Sequence, residues 1–392
     1  MSRTAQLAAF IAVAVAILTG IHLYLWLRLV RDTALPSPWR QAASIALAAL
    51  AVSVPVAMGL YRFLPRGAGR YTGALPFVWM GVMVLLLFWF LAADAARLAA
   101  LGTSRLAGWS FLAERRLLVA RGTALAGGAI VLCLSAYAVV NAARPPALKE
   151  LDLRLPRLPR ALDGFSIVQI GDVHVGGSLH DRAWLADVVS RVNALSPDLV
   201  AITGDLVDAP PSQILDDVAP IAGLRAPRGV FFVTGNHEFY AGLEPWLPVF
   251  RRLGLHLLRN ERVAIGDGAA SFDLIGVDDY DGRRVGPGGG ADLEAATKGR
   301  DRARFAVLLS HQPRIAAEAA ASGIDLVLSG HTHGGQIWPF SALVRLQQPY
   351  LRGLYRVGEG TQLYVSDGTG TWGPPMRLGT RSEIVRIVLR AD

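Results

Sequence analysis

Four stretches without a single charged residue, 5–27, 42–60, 74–92 and 122–140, occupy most of the first 146 residues of this 392-residue chain. A helix rises 1.5 Å per residue, so crossing a hydrocarbon core takes about 20 apolar residues. Each run is close to that length, and a helix satisfies its backbone groups where lipid offers no partner. We therefore expect four membrane-spanning helices rather than four buried core helices, since Arg-rich loops separate them within one short region. The third run carries Phe77, Trp79, Phe88, Trp89 and Phe90. The fourth is diluted by Gly122, Gly127, Gly128 and Ser135, small residues of the kind that let membrane helices approach closely. The first run is too long for the apolar core of a signal peptide and has no small-residue cleavage site before a polar start, so it reads as an uncleaved helix. The mid-chain pair Arg115-Arg116 reads as loop charge, not as an export signal.

Charge divides the chain in the same place. The whole carries 39 basic and 31 acidic residues, a net charge of +8 that by itself suggests nucleic acid or an anionic membrane surface as partner. Residues 1–146 hold 13 Arg, no Lys and only three acids, Asp32, Asp94 and Glu114. The remaining 26 basic and 28 acidic residues leave 147–392 slightly acidic. The basic excess thus belongs to the membrane region, and nucleic acid is disfavoured as a partner. Hydrophobic residues make up 52% and charged ones 18%, which excludes a disordered chain.

Counting Lys and Arg in short loops predicts orientation. The loops after the first and third runs hold Arg28, Arg31, Arg40, Arg97, Arg105, Arg115, Arg116 and Arg121. The opposite side holds Arg3, Arg62, Arg66, Arg70, Arg144 and Lys149. The richer side goes to the cytoplasm. The expectation is a multi-pass protein of the cell membrane, with both termini and the domain 147–392 on the extracytoplasmic side.

Arg144-Pro145-Pro146 closes the last run, and 151–156 alternates like an edge strand bounded by proline. The Gly-rich stretch 286–290 reads as a loop tip. Short apolar runs predict strands at 166–170, 199–202, 230–234, 272–277, 305–310, 326–329, 362–366 and 383–388. Amphipathic stretches predict helices at 182–194, 213–224, 245–253 and 315–322. Alternation of this kind belongs to α/β architecture. Cys133 is the only cysteine, which excludes an intramolecular disulfide framework and a cysteine zinc site, so a metal site must use His, Asp, Asn or Glu.

Five of these strands run into metal-capable side chains. They lead to Asp172 and His174, to Gly204-Asp205 with Asp208, to Gly235-Asn236-His237-Glu238, to His311, and to Gly330-His331-Thr332-His333. Ligands in open α/β sheets bind at the carboxyl ends of strands, and the glycines allow the turns and close approach such a site needs. Five of the eight histidines lie in these motifs; His22, His180 and His256 read as structural.

This ordered set, Asp172-x-His174, Gly204-Asp205-x-x-Asp208, Gly235-Asn236-His237-Glu238, His311 and Gly330-His331-x-His333, resembles the signature of the calcineurin-like metallophosphoesterases, over about 147–392. Gly334-Gly335-Gln336, and Pro374 and Arg377 after Gly368 and Gly370, resemble its bacterial membrane-associated branch. The resemblance implies a four-layer α/β/β/α sandwich and a dinuclear metal centre. One cation would be held by Asp172, His174, Asp205 and His333, the other by Asp205, Asn236, His311 and His331, with Asp205 bridging. Mixed imidazole, carboxylate and amide ligands suit Mn, Fe, Zn, Co or Ni better than Mg or Ca. His237 lies outside both sets; it would stabilise the transferring phosphoryl group or protonate the leaving oxygen, with Asp208 accepting a hydrogen bond from its other nitrogen. Glu238 reads as structural. Tyr240, Asp278, Asp279, Tyr280 and Trp338 read equally as substrate-shaping or as loop packing, and Arg314 as a helix-surface charge.

The reaction so implied is hydrolysis of a phosphomonoester, phosphodiester or pyrophosphate bond by a metal-bridging hydroxide, without a phosphoenzyme. Membrane attachment favours an amphiphilic or lipid-linked substrate, by analogy with enzymes of the branch that act on a diacylated sugar nucleotide. The alternatives are a phosphodiesterase for soluble nucleotides that is merely anchored, and a catalytically dead sensor or transport protein. The last would have lost ligand positions, and all are filled here. Oligomeric state is left open.

Overall fold

Four long helices lead the computed structural model, which describes residues 3–60, 66–106, 115–177, 179–268, 270–285 and 289–392. Helix α1 spans Arg3–Trp26 and runs on through a π-helical turn, Leu27–Arg31; α2 spans Trp39–Leu60, α3 Arg66–Leu106 and α4 Arg116–Ala143. All four contain segments long and apolar enough to cross a membrane: Ile11–Arg31, Trp39–Gly59, Gly73–Ser104 and Arg116–Ala143. The helices outrun the charge-free stretches. Arg66, Arg70, Arg97 and Arg105, expected in loops, lie inside α3, and Arg116 and Arg121 lie inside α4. Arginine is a good helix former, so charge ends an apolar run without ending the helix. Arg62 and Glu114 fall outside the described residues, as do 286–288 of the expected loop tip.

The chain divides into two compact units, the second holding residues 66–70 and 140–392. In the first unit, Trp26 Nε1 donates to Ser44 Oγ at 2.8 Å. His22 is satisfied on both nitrogens: Nδ1 lies 2.8 Å from the Leu18 carbonyl and Nε2 accepts from Trp79 Nε1 at 2.9 Å. That pairing gives the imidazole a structural task. Asp94 accepts from Tyr24 at 2.5 Å and pairs with Arg28 at 2.8 Å, so this acid inside α3 is partnered, as an intramembrane charge requires. Of the small residues in the fourth run, Gly127 makes the close approach. A Cβ there would lie 2.3 Å from Trp89 Nε1, whereas Gly122 and Gly128 face open space.

The second unit is built on two six-stranded sheets. The first has the order β1-β12-β2-β3-β4-β5. Its strands are β1 (Ala147–Arg154), β2 (Ser166–Ile170), β3 (Leu199–Ile202), β4 (Val230–Phe232), β5 (His256–Leu257) and β12 (Glu383–Arg390). The second has the order β10-β11-β9-β8-β7-β6. It comprises β6 (Glu261–Asp267), β7 (Ala270–Gly276), β8 (Ala306–Leu309), β9 (Leu326–Ser329), β10 (Gly353–Val357) and β11 (Thr361–Val365). Strands β2 to β5 are mutually parallel, as are β7, β8, β9 and β11.

Alternation of side chains along each strand sends successive residues to opposite faces, which generates three apolar layers. Ile167, Leu199, Ala201 and Val233 meet Phe272, Leu274, Val307 and Leu328 between the sheets. Val168, Val200 and Ile202 pack on the outer face against helices α5 (Arg182–Ala194) and α8 (Leu243–Arg252), through Leu185, Val188, Trp246 and Phe250. Ile275, Leu308, Val327 and Leu363 pack on the other outer face against α9 (Leu293–Thr297) and α10 (Ala316–Ala321). The result is the α/β/β/α layering expected.

Differences from the sequence reading sit at edges and ends. The edge strand begins at Ala147 rather than 151. Strands β5, β6 and β10 were not expected. They are at or near sheet margins with partly exposed side chains, so backbone pairing holds them without the apolar run that marks a buried strand. Strands 230–234 and 305–310 stop at Phe232 and Leu309, which frees the following residues for loops.

Substituting Gly127→Val would drive a side chain into Trp89. We expect a loss of about 1–3 kcal/mol, read as a lower thermal unfolding midpoint of the detergent-solubilised chain, with Gly128→Val as the unaffected comparison.

Candidate metal centre

All nine residues predicted for the site converge at the carboxyl ends of β2, β3, β4, β8 and β9. The β2–β3 pairing continues past the strand ends: Asp172 N donates to Gly204 O at 2.9 Å and His174 N to Asp205 O at 3.0 Å. Nine non-glycine residues have positive φ among those described, and Asp172, His174, Asp205, His331 and His333 are five of them. A left-handed conformation costs such residues about 1–3 kcal/mol each and persists only where surroundings over-determine it. Two glycines permit the crowding. A Cβ on Gly235 would lie 2.1 Å from Asp205 Oδ1, and one on Gly330 would lie 2.2 Å from Asp172 Oδ2.

Two ligand groups result. In one, the Nε2 atoms of His174 and His333 are 3.1 Å apart, with Asp172 Oδ1 3.5 Å from His333 Nε2. In the other, His331 Nδ1 and His311 Nε2 are 3.1 Å apart. Asp205 lies between them, its Oδ2 3.2 Å from His311 Nε2 and 3.8 Å from His174 Nε2. Asp172, His174 and His333 form one cluster able to hold a metal ion, and Asp205, His311 and His331 another. Asn236 Oδ1 is buried with no hydrogen-bond partner, which leaves its lone pairs for a cation. The donor set and this orphaned oxygen fit divalent metal ions.

Outer partners set the tautomers. Asp208 Oδ1 sits 2.7 Å from His174 Nδ1 and 2.8 Å from His237 Nδ1, so one carboxylate oxygen orients two imidazoles and turns the Nε2 atom of each away from it. His311 Nδ1 lies 2.9 Å from the Thr203 carbonyl, to which it donates. His237 also groups with His174 and Asp205 as a potential ligand.

A family model described as calcineurin-like phosphoesterase matches residues 165–335. A "transmembrane protein with metallophosphoesterase domain" of Danio rerio is 36% identical over 94% of this chain and 86% of its own. The chain belongs to the calcineurin-like phosphoesterases. A protein of the same description from Bos taurus is 40% identical over 67% of this chain and 61% of its own. An uncharacterized metallophosphoesterase of Helicobacter pylori is 41% identical over 62% of this chain and 64% of its own. This calcineurin-like phosphoesterase is thus a metal-dependent enzyme whose N-terminal part carries four apolar helices.

Burial governs the electrostatics of the phosphoesterase site. It raises Asp172 to about 6 and lowers His331 to about 3; it also carries His333 well below its ordinary value, with His174 adding to the effect. The last two are thereby neutral, the form that ligates. For Asp205, burial works upward, but His311 and His237 outweigh it and hold the carboxylate well below the usual range. For His237, burial works downward, yet Asp205 and Asp208 raise it to about 9.

Some residues considered from sequence lie elsewhere or do structural work. Asp278 accepts from Arg259 at 2.8 Å and Thr234 at 3.0 Å. Arg314 stacks on Tyr280 at 4.9 Å, and Asp279 accepts from Gln312 at 3.0 Å. Tyr240 is the one that reaches the site, its ring 5.3 Å from that of His237.

Two residues left outside the site by the sequence reading, Glu238 as structural and Arg377 as part of a branch motif, are anchors of its loops. Glu238, fully buried, accepts four backbone N–H groups: Asp205 at 3.0 Å, Leu206 at 2.7 Å, Val207 at 3.1 Å and Gly235 at 2.6 Å. Arg377, also fully buried, donates to the carbonyls of Asp367 at 2.7 Å and Gly370 at 2.6 Å and lies 3.4 Å from His333 Nδ1. The local signal for Glu238 was its place in Gly235-Asn236-His237-Glu238, and for Arg377 its place after Gly368 and Gly370.

Glu238→Ala would strand four buried donors. We expect a loss of at least about 3 kcal/mol, seen as a lowered unfolding midpoint together with reduced metal content of the purified protein.

Proposed function

We propose that this protein is a membrane-anchored dinuclear-metal phosphoesterase, with residues 1–146 as membrane region and 147–392 as catalytic domain. Asp205 carries the reading: its Oδ2 lies between two histidine pairs whose ring nitrogens meet at 3.1 Å. Asp172, His174 and His333 would hold one cation, Asn236, His311 and His331 the other, and Asp205 both. Two divalent cations so held supply an acidified water as nucleophile and a clamp on the phosphoryl oxygens.

His237 is the acid. Its Nδ1 bond to Asp208 turns Nε2 outward as the proton-bearing atom, and two carboxylates favour the charged ring. A cationic imidazole there stabilises the phosphoryl group and delivers a proton to the leaving oxygen. Asp208 positions rather than reacts. The substrate is a phosphomonoester, phosphodiester or pyrophosphate, and the membrane helices favour an amphiphilic or lipid-linked one. We place the domain on the extracytoplasmic side of a multi-pass protein.

Two measurements test this. Asp205→Asn should lower turnover of a chromogenic phosphodiester by about two orders of magnitude or more, and metal analysis of the active parent should find two transition-metal ions per chain; unchanged turnover or far fewer ions refutes the assignment. Because His237 is raised from its ordinary 6.5 to about 9, its cation persists at neutral pH and is lost as pH rises through that value. The rate–pH profile should therefore fall on its alkaline side. Asp208→Asn removes a charge that raises His237, so that limb should move to lower pH by about one unit; an unmoved limb excludes His237 as its source.

A further inference from the structure

Beside the metal centre lies an apolar rim that no core covers. Helix α11 (Ser341–Gln347) contains no buried residue. Leu346 is 84% exposed and Leu343 48%, and Trp338, Phe340 and Trp372 beside them are exposed as well. A seven-residue helix that buries nothing gains little from the domain beneath it.

The rim is joined to the site. Gln336, three residues after His333, donates from Nε2 to the carbonyls of Trp372 at 2.8 Å and Pro374 at 3.0 Å, and its Oε1 accepts from Trp372 N at 3.0 Å. Trp338 N donates to Leu378 O at 2.8 Å. The Trp372 ring is 6.3 Å from that of His237.

The chain's own connectivity names the occupant. The loop that carries Trp372 and Leu378 also receives Asn141, buried in the last turn of α4, whose Nδ2 donates to the carbonyls of Arg377 and Thr380, both at 3.0 Å. Asn141 belongs to the same compact unit as that loop and to the apolar segment Arg116–Ala143. Only Arg144, Pro145 and Pro146 separate α4 from β1, a tether of at most about 14 Å. Tryptophan and phenylalanine suit the head-group level of a bilayer, and exposed Arg345 adds a cation between Leu343 and Leu346.

We propose that Trp338, Phe340, Leu343, Leu346 and Trp372 seat on the lipid bilayer surface, so that the site takes phosphoester head groups of membrane lipids. The substrate half of this rests on the phosphoesterase reading above; the docking half does not.

The test uses the full chain with Cys133→Ser and a nitroxide at Leu346→Cys, in vesicles of equal parts phosphatidylcholine and phosphatidylglycerol. Spin relaxation by oxygen against a water-soluble nickel chelate reads depth. The ratio should favour oxygen at least about fivefold more than for a label at Leu215→Cys on the domain's flank; equal ratios overturn the docking. In a second arm, Leu343→Ser with Leu346→Ser should keep hydrolysis of a soluble chromogenic diester in detergent within about twofold. The same double variant should lose at least about tenfold on vesicle phospholipid. Equal losses on both substrates, or a parent active only on the soluble diester, overturn the lipid substrate. A parent inactive on both overturns the phosphoesterase reading, and the nitroxide ratio still decides docking.

Discussion

Four backbone N–H groups converge on one carboxylate, that of Glu238, and the candidate metal centre hangs on that convergence. The loops after β3 and β4 carry Asp205, Asp208, Asn236 and His237. Without a shared acceptor, their amides would be buried and unpaired at the point where side chains of like kind are forced together. The arrangement is strained by design of its chemistry. Buried carboxylates and imidazoles desolvate one another, and five of the ligand-type residues sit in left-handed backbone. Glu238, Asp208 and the Thr203 carbonyl hold these groups in place, so that a cation bound there would find lone pairs already aimed.

The two sheets supply the rigidity behind the loops. Gln169 on β2 reaches across to the Ser329 carbonyl on β9 at 2.9 Å, which sets the Asp172 loop against the His331 loop. Tyr364 on β11 donates to Glu383 on β12 at 2.7 Å, a second link between the sheets. Candidate ligands from β2, β3 and β4 therefore meet candidates from β8 and β9 at fixed distance. A single sheet would spread the same residues along one edge.

Much of this was legible beforehand, for a chemical reason. Metal ligation accepts few residue types, so the proposed ligands Asp172, His174, Asp205, Asn236, His311, His331 and His333 could be picked out in the sequence at the ends of apolar, β-branched runs. Strands 166–170, 199–202 and 326–329 were readable to the residue because burial on both faces forces a continuous apolar run. The charge-free stretches of the first 146 residues announced helices of membrane length because hydrocarbon excludes charge. What escaped was held by backbone or by distant contact: strands β5, β6 and β10 at the margins, the extension of α3 through its arginines, and the second imidazole on Asp208.

The sequence by itself determined the kinds of atoms available, their order along the chain, and the division into an arginine-rich apolar part and a mixed α/β part. These are local properties, written in composition and in periods of two or three to four residues. Only the tertiary structure decided which nitrogen of each histidine is free, that Asp205 stands between two histidine pairs, and that Glu238 and Arg377 anchor loops rather than react. Those outcomes depend on residues up to 159 positions apart, as His174 and His333 are, meeting within 3 to 4 Å, and no local pattern carries that information.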